Sequence, residues 1–250
     1  MVNTLLNLQP CWKITIYKIC SMRSWYWFLI AILFLTACGD SDDSSPECLP
    51  NLSVCNSEGR FCTFGSKWGE DRIFSPAGNN TPGPGTTGGV VTYSFQDEGI
   101  ELNFNDEMII SRDFDVHQIG CGKDMIREAF AAYSAVANID FSEEPSSPNS
   151  DIRIFAGIVE GSSRNGDITA FGIPPRAGSC VASSGTMLFD SQTGSCHEFF
   201  LLALHEIGHA LGLGHPGEGN IMSPGPPDLT FTGLRAGDIE GIRSIYGPRE

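Results

Sequence analysis

Apolar residues recur every three or four positions in the middle of the chain, between Lys123 and Ile139. In this stretch, KDMIREAFAAYSAVANI, the apolar positions that share one helical face are Met125, Ile126, Ala129, Phe130, Tyr133 and Val136. Residues at this spacing lie on one side of an α-helix. The pattern therefore predicts a helix with one buried face.

Shorter apolar runs on both sides of this helix have the composition of β-strands. VVTYSF, Val90 to Phe95, consists largely of β-branched and aromatic residues, which favour strands. Further strands are predicted at Asp140–Ser142, Asp151–Phe155 and Gly185–Phe189, and further helices at Cys196–Leu213 and Arg235–Gly247. Strands that alternate with helices indicate an α/β (α+β) domain with a mixed sheet, spanning residues 90–250.

A different kind of apolar run lies near the N-terminus. The thirteen residues WYWFLIAILFLTA, Trp25 to Ala37, carry no charge and follow Arg23. The run is shorter than the roughly 20 residues that span a bilayer, and its layout is typical of an export signal. Its ending, LTAC, resembles the lipobox of bacterial lipoproteins, which implies a signal peptide over residues 1–37 and a lipid on Cys38. Translation from Met22 would give a more compact signal, and an uncleaved anchor or a buried helix is the alternative.

Residues 38–89 lack the pattern of a packed domain. GDSDDSSPE after Cys38 is acidic and rich in serine, and residues 75–89 are rich in Gly, Pro, Asn and Thr, as in solvated tethers and linkers. Between them, Cys48, Cys55 and Cys62 follow one another at seven-residue steps. This Cys-rich segment could inhibit, bind a partner or act as a spacer.

The cysteine count and the charge narrow the function classes. Six of the nine cysteines lie beyond Cys38, and an even number in an exported chain predicts three disulfides. Cys180 and Cys196 flank one loop and are the favoured pair, although six cysteines allow fifteen pairings. The formal net charge of −15 argues against binding to nucleic acid or to anionic lipid by charge.

Three of the five histidines occur in HEIGHALGLGH, residues 205–215. His205 and His209 are four residues apart, so a helix presents both imidazoles on the same side to one ion. Gly212 lets the helix end, and the chain can then return with His215 as a third ligand. Three neutral histidines with an open fourth position are typical of a catalytic zinc site. Glu206, one position round the helix, could act as general base on a zinc-activated water.

This segment matches the HExxHxxGxxH signature of metzincin metallopeptidases at His205, Glu206, His209, Gly212 and His215. Metzincins also have a methionine turn beneath the zinc, and NIMSP places Met222 seven residues after the last histidine. DIRIFAG, GTMLFDS and DIEGIRSIYG follow the order of a matrixin, so the chain most resembles that branch. The resemblance implies a metzincin catalytic domain with a mixed twisted sheet, an active-site helix and a C-terminal helix. It further implies a zinc endopeptidase that cuts extended proteins, with GTMLFDS as the antiparallel edge strand above the cleft. Together with the lipobox, it makes the expected protein a monomeric, membrane-tethered enzyme.

Several positions depart from the matrixin pattern. Phe171 and Leu188 stand where animal matrixins place histidines, so the second, structural zinc is expected to be missing. Asp190 is followed by SQTG rather than further acids, which does not favour structural calcium. Pro216 follows the third histidine as in serralysins, but Pro224 and the absence of calcium repeats oppose that branch. No PRCGxPD segment is present. The alternative function is a non-catalytic binding or adhesion lipoprotein on the same scaffold, although the intact Glu206 favours the enzyme.

Overall fold

The computed structural model describes residues 4–8, 12–16, 53–68, 90–104, 107–158, 170–175, 184–190 and 195–249. It divides the chain into two units, Met1–Ser44 and Ser45–Glu250. In the first unit, strands β1 (Thr4–Leu8) and β2 (Trp12–Ile16) form an antiparallel pair. The predicted lipidation residue, Cys38, lies outside the described residues.

The second unit contains the predicted domain. Its strands are β3 (Val54–Cys55), β4 (Cys62–Thr63), β5 (Val90–Phe95), β6 (Glu101–Phe104), β7 (Glu107–Ile110), β8 (Asp140–Glu143), β9 (Ile152–Ala156), β10 (Ala170–Gly172), β11 (Thr186–Phe189) and β12 (Leu213–Gly214). Its helices are α1 (Phe114–His117), α2 (Gly122–Val136), α3 (Cys196–Ala210) and α4 (Ala236–Tyr246). The predicted long helices and main strands are therefore present, while the β6–β7 pair and α1 were not predicted.

Five strands form a mixed sheet in the order β10-β11-β9-β5-β8. The pairs β11–β9, β9–β5 and β5–β8 are parallel, and β10 joins β11 antiparallel. This confirms the predicted fold class. It also shows that GTMLFDS was wrongly predicted as the edge strand, because β11 is hydrogen-bonded on both sides. Among the described strands, β10 is the antiparallel one at the edge.

Helices α2 and α3 supply most of the core against this sheet. Ile126, Ala129, Phe130 and Tyr133 of α2 are buried as predicted, whereas Met125 and Val136 are only partly buried. The Tyr133 hydroxyl donates to the Leu204 carbonyl oxygen across 2.9 Å, which joins the two helices in the core. Helix α3 is buried along nearly its whole length, so α2 and the sheet hold it in place.

The N-terminal ends of α2 and α3 are joined by a disulfide between Cys121 and Cys196, whose Cα atoms are 5.9 Å apart. The predicted pair Cys180–Cys196 is therefore wrong. Cys121 is the N-cap of α2 and Cys196 is the first residue of α3, so packing of the two helices brings them together across 75 positions. Proximity along the chain could not reveal this. Cys180 itself lies outside the described residues.

A small sheet connects the Cys-rich segment to the same unit. Strands β3 and β4 pair antiparallel, a second disulfide joins Cys55 to Cys62, and β4 pairs antiparallel with β12. Trp68, at the end of this segment, is fully buried in the core cluster. Residues 53–68 thus pack against the domain that the sequence places at 90–250. Within the described part of the chain, no helix has the length and apolar character to cross a membrane.

Candidate active site and metal centre

The three histidines of the HEIGHALGLGH segment meet at one point. His205 and His209 lie one turn apart on α3, and His215 follows β12. The Nε2 atom of His215 lies 3.1 Å from that of His205 and 2.9 Å from that of His209. Among the described residues, this is the group of three metal-ligating side chains close enough to hold one ion.

Backbone carbonyls determine which ring nitrogen of two histidines faces this point. His205 Nδ1 lies 2.7 Å from the Ile221 carbonyl oxygen, and His209 Nδ1 lies 2.8 Å from that of Leu213. Because a carbonyl oxygen only accepts, each Nδ1 carries the proton and donates it. The Nε2 lone pairs are then left for a metal, as in the outer-shell arrangement of zinc sites.

Burial keeps these rings neutral at pH 7. It lowers the pKa of His205 to about 4 and that of His209 to about 3, because desolvation disfavours the charged imidazolium. Burial also lowers the pKa of His215, which is more exposed. All three rings are therefore in the form that binds a metal.

The donor set fits zinc. Three neutral Nε2 lone pairs that face one another at about 3 Å repel unless a cation lies among them. Nitrogens bound at 2.0–2.1 Å to one tetrahedral zinc would be about 3.3 Å apart, close to the observed spacing. The arrangement is that of a three-histidine zinc site with one position open.

The end of α3 brings His215 back to the other two ligands. Gly212 has a φ of 106°, a left-handed backbone conformation that glycine adopts without strain. The chain turns there into β12, which leads directly to His215. A side chain at 212 would also collide with the Ser66 carbonyl oxygen. Gly212 therefore serves both the turn and the close approach of residues 53–68.

Glu206 lies beside the three histidines on the sheet side of α3. It is buried, and burial raises its pKa to about 8, while the hydrogen bond from the Gly172 N–H lowers it in part. Gly172 belongs to the edge strand β10, and a Cβ there would overlap the Glu206 carbonyl oxygen. The strand therefore packs directly on the helix at the position of the predicted general base.

A cleft of about 800 Å³ contains this constellation. One side is formed by β10, including Phe171, and by the side of α3 that faces the cleft, from Glu198 to His209. Ile221 and residues 225–227 lie on its border, and Ser53 and Phe64 of the Cys-rich segment contribute as well. The cleft has the three imidazoles and Glu206 in its lining.

Comparison with known families and proteins agrees with this geometry. The model of the matrixin family (Peptidase_M10) matches residues 108–247, more than half of the chain. The chain belongs to the matrixin family. In this matrixin domain, His205, His209 and His215 form a three-histidine site whose donor atoms suit zinc.

Individual proteins are similar to part of the chain. Metalloendoproteinase 1 of Glycine max is 35% identical over 140 residues, which cover 50% of this chain and 45% of the relative. The hatching enzyme of Paracentrotus lividus is 32% identical over 168 residues, 63% of this chain and 25% of the relative. The macrophage metalloelastase of Oryctolagus cuniculus is 35% identical over 139 residues, 50% of this chain and 29% of the relative. The chain thus spans less than half the length of each of these relatives.

Met222 lies beneath the zinc site of the matrixin domain. Its side chain is fully buried, and its Sδ atom is 3.9 Å from the Tyr133 hydroxyl. A Cβ at Gly208 would overlap this Sδ atom, so the glycine within the zinc motif permits the methionine to pack against α3. Ile221, whose carbonyl orients His205, immediately precedes it.

Asp238 holds the same loop from the other side and was not among the predicted site residues. Its carboxylate accepts from the backbone N–H groups of Ile221, Met222 and Arg235, at 2.9, 3.1 and 2.8 Å. Burial raises the pKa of Asp238, and these hydrogen bonds oppose the rise. The available signal was its place in the first turn of α4, where an acidic residue caps a helix. Its bonds to residues 221 and 222 depend on the tertiary fold.

Phe171 and Leu188, the residues compared above with the structural-zinc histidines of animal matrixins, lie next to each other. Phe171 of β10 and Leu188 of β11 are register partners in the sheet and belong to a small apolar cluster with Ile109 and Phe155. Asp190 is buried at the end of β11. Apolar packing therefore occupies the two positions that the sequence resemblance compares with ligands of a structural zinc.

Proposed function

We propose that this matrixin hydrolyses peptide bonds of extended protein substrates, with Glu206 as general base. The observation that carries the proposal is a buried carboxylate in the same cleft as three converging, neutral imidazole nitrogens. A pKa near 8 is close to the working pH, as general acid–base catalysis requires. We also propose that Met222 serves as the methionine turn, since it packs beneath the zinc-binding helix.

The chain's own residues account for the proton transfers. Zinc, when bound to the three histidines, supplies a Lewis acid that acidifies a water molecule and polarises the scissile carbonyl. Glu206 accepts a proton from the attacking water as its oxygen bonds to the carbonyl carbon. The same carboxyl group then gives that proton to the departing amine as the C–N bond breaks. The hydrogen bond from the Gly172 N–H holds the carboxylate in place during both transfers.

The edge strand supports binding of an extended substrate. Among the strands that the structure describes, β10 is paired with β11 alone, and its residues 170–172 line the cleft. Backbone groups at a sheet edge can pair with an added strand, which holds a peptide in extended form. A substrate bound in this way would pass over the zinc site.

The site of action is proposed to be the outer side of a membrane. Matrixins are secreted, and the two disulfides of the described residues are of the kind formed in oxidising compartments. The lipobox resemblance at Leu35–Cys38 supports a bacterial lipoprotein with residues 1–37 removed and Cys38 lipidated. In this layout, the acidic segment at residues 39–47 would serve as a tether to the membrane.

The test of the activity is hydrolysis of a quenched peptide library by the full chain and by its Glu206→Gln variant. Zinc content is measured for both proteins. We expect cleavage by the parent and near-complete loss in a variant that still holds zinc. Absence of cleavage by a zinc-loaded parent would contradict the proposal and favour a binding role.

The test of the anchor is incorporation of an alkyne-tagged fatty acid by the full chain in a bacterial host. We expect label in the parent and in Cys20→Ser, whose substitution lies in the predicted leader, but not in Cys38→Ser. Equal labelling of the parent and Cys38→Ser would contradict a lipid on that residue.

A further inference from the structure

Residues 53–68, here called the cysteine hairpin, lie outside the residues that the matrixin model matches. Strands β3 and β4 pair with Val54 opposite Thr63 and Cys55 opposite Cys62, and a disulfide joins the two cysteines. The turn between them has a left-handed glycine, Gly59, with a φ of 68°. The hairpin is therefore a closed local unit.

This hairpin adds a strand to the loop that carries the third zinc ligand. Thr63 pairs with Leu213 and Cys62 pairs with Gly214. The Phe64 N–H continues the ladder, donating to the Gly212 carbonyl oxygen at 2.8 Å. The three residues immediately before His215 are thus held by the hairpin backbone.

The hairpin also lies close to the groups that orient two zinc ligands, His209 and His215. The Leu213 carbonyl, in the strand paired with β4, accepts from His209 Nδ1. Cys55 Sγ lies 4.0 Å from the carbonyl oxygen of His215. Gly214 has no side chain, and a Cβ there would overlap Ser53. The close fit means that a shift of the hairpin would move the backbone that positions His215.

The far end of the hairpin is tied to the end of the catalytic helix. Trp68 Nε1 donates to the Ala210 carbonyl oxygen at 2.7 Å. That carbonyl belongs to the last turn of α3, where carbonyls lack helical partners. The Trp68 N–H donates to the Tyr246 hydroxyl, which in turn donates to the Leu211 carbonyl oxygen. The hairpin is therefore anchored both to the last turn of α3 and to the strand that leads to His215.

Two side chains of the hairpin also face the substrate space. Ser53 and Phe64 line the cleft, and the Phe64 ring centroid lies 5.9 Å from that of His209. Phe61, three residues earlier, instead packs beside Gly241 of α4 and is not part of the cleft lining. A peptide that fills the cleft would contact Phe64 but not Phe61.

We propose that the cysteine hairpin is a working part of the active site, with two roles. Its disulfide-closed strands position His215 for zinc, and Phe64 forms a wall that contacts the bound peptide. The second role rests on the proposed peptidase function, whereas the first concerns metal binding alone.

The positioning role is tested by zinc affinity, measured by chelator competition with the full chain. Replacing Cys55 and Cys62 by serine should weaken zinc binding about tenfold or more, since loss of outer-shell support has effects of this size. The matched control replaces Cys121 and Cys196 by serine, which removes a disulfide at the start of α3. It should lower stability but leave zinc affinity within about twofold of the parent. Equal zinc affinity of the hairpin variant and the parent overturns this role.

The wall role is tested by peptide kinetics of Phe64→Ala against Phe61→Ala. Each variant loses one phenyl ring from the same hairpin. We expect Phe64→Ala to lower kcat/KM about tenfold, mainly through KM, because it removes substrate contact, while Phe61→Ala keeps the KM of the parent. Equal KM values for the two variants overturn the wall. If the Cys55/Cys62 serine variant does not fold, the comparison of Phe64→Ala with Phe61→Ala still tests the wall role. If the parent cuts no peptide, the peptidase function is refuted, but the zinc-affinity comparison still tests the positioning role.

Discussion

The two walls of the zinc cleft come from different parts of the chain, and only one of these parts is matched by the matrixin family. One wall consists of α3 and the edge strand β10, and it includes two zinc ligands and Glu206. The other is the cysteine hairpin, which contributes Ser53 and Phe64. The first wall lies inside the stretch that resembles matrixins, and the second lies before it.

The two walls differ in the sequence separation of the residues that form them. His205 and His209 share a face of one helix, so their spacing alone reveals that they act together. The hairpin reaches the site by pairing Thr63 with Leu213, residues separated by most of the domain. Short strands of two residues have no recognisable periodicity, so such pairing is invisible until the chain is folded. We therefore expect changes at Glu206 and β10 in the first wall to affect chemistry, and changes in the second wall to affect metal and substrate binding.

The largest effect is expected for Glu206→Asp. The shorter side chain withdraws the carboxylate by about one methylene, and misplacement of a reacting group by about 1 Å can cost on the order of 100-fold in rate. The loss should fall on kcat with KM nearly unchanged, in contrast to Phe64→Ala. Steady-state kinetics with zinc content check this split, and a change confined to KM would contradict the assigned base.

The largest effect on stability is expected for Asp238→Ala, because this carboxylate holds the loop at Ile221 and Met222. Three backbone N–H groups lose their acceptor, and an unpaired buried donor costs about 1–3 kcal/mol. Partial repair by water leaves an expected loss of about 3 kcal/mol in the free energy of unfolding, which chemical denaturation measures. Asp228→Ala is the control, because the Asp228 carboxylate accepts from the N–H and hydroxyl of Thr230 in an exposed turn. A loss no larger than that of the control would show that Asp238 does not hold the loop.

A smaller loss is expected for Gly172→Ala in the edge strand. The added methyl would overlap the Glu206 carbonyl oxygen, so β10 must move away from α3 and weaken its hydrogen bond to the Glu206 carboxylate. We expect kcat/KM to fall about tenfold, equivalent to about 1.4 kcal/mol. Gly120→Ala, where no atom lies within 4 Å of the added methyl, should be unchanged. Similar kinetics for both variants would mean that the strand accommodates the methyl without disturbing Glu206.

The smallest effect lies away from both walls, at Glu143. Hydrogen bonds from Arg127 are the main cause that lowers the pKa of Glu143. A lowered folded-state pKa contributes stability that is present above the unfolded pKa near 4.3 and is lost as pH falls through the folded value. Because the pair is partly exposed, Glu143→Gln should cost no more than about 1 kcal/mol at pH 7. Denaturation at pH 7 and pH 3 should show this difference shrinking in acid, and a constant difference would assign it to another cause.

The prediction of individual elements succeeded where a pattern was local and long. Strand β5 has the predicted bounds, Val90–Phe95, and α2 and α4 agree with prediction to within a few residues. The prediction failed for strand position and for the disulfide. Which strand forms the edge depends on pairing between β9, β10 and β11, and the partner of Cys196 depends on how α2 packs on α3. The spacing of residues along the sequence predicts neither the edge strand nor the disulfide partner of Cys196.

By itself, the sequence determined the helix that carries His205 and His209, the glycine at which it ends and the return to His215, because these are encoded within eleven neighbouring residues. It also determined the alternation of strands and helices through the spacing of apolar side chains. The tertiary structure alone decided that β10 covers Glu206, that Asp238 holds the loop at Met222, and that the cysteine hairpin closes the cleft. These arrangements join residues far apart in the chain, and they form because packing must satisfy buried backbone groups and fill the core at the same time.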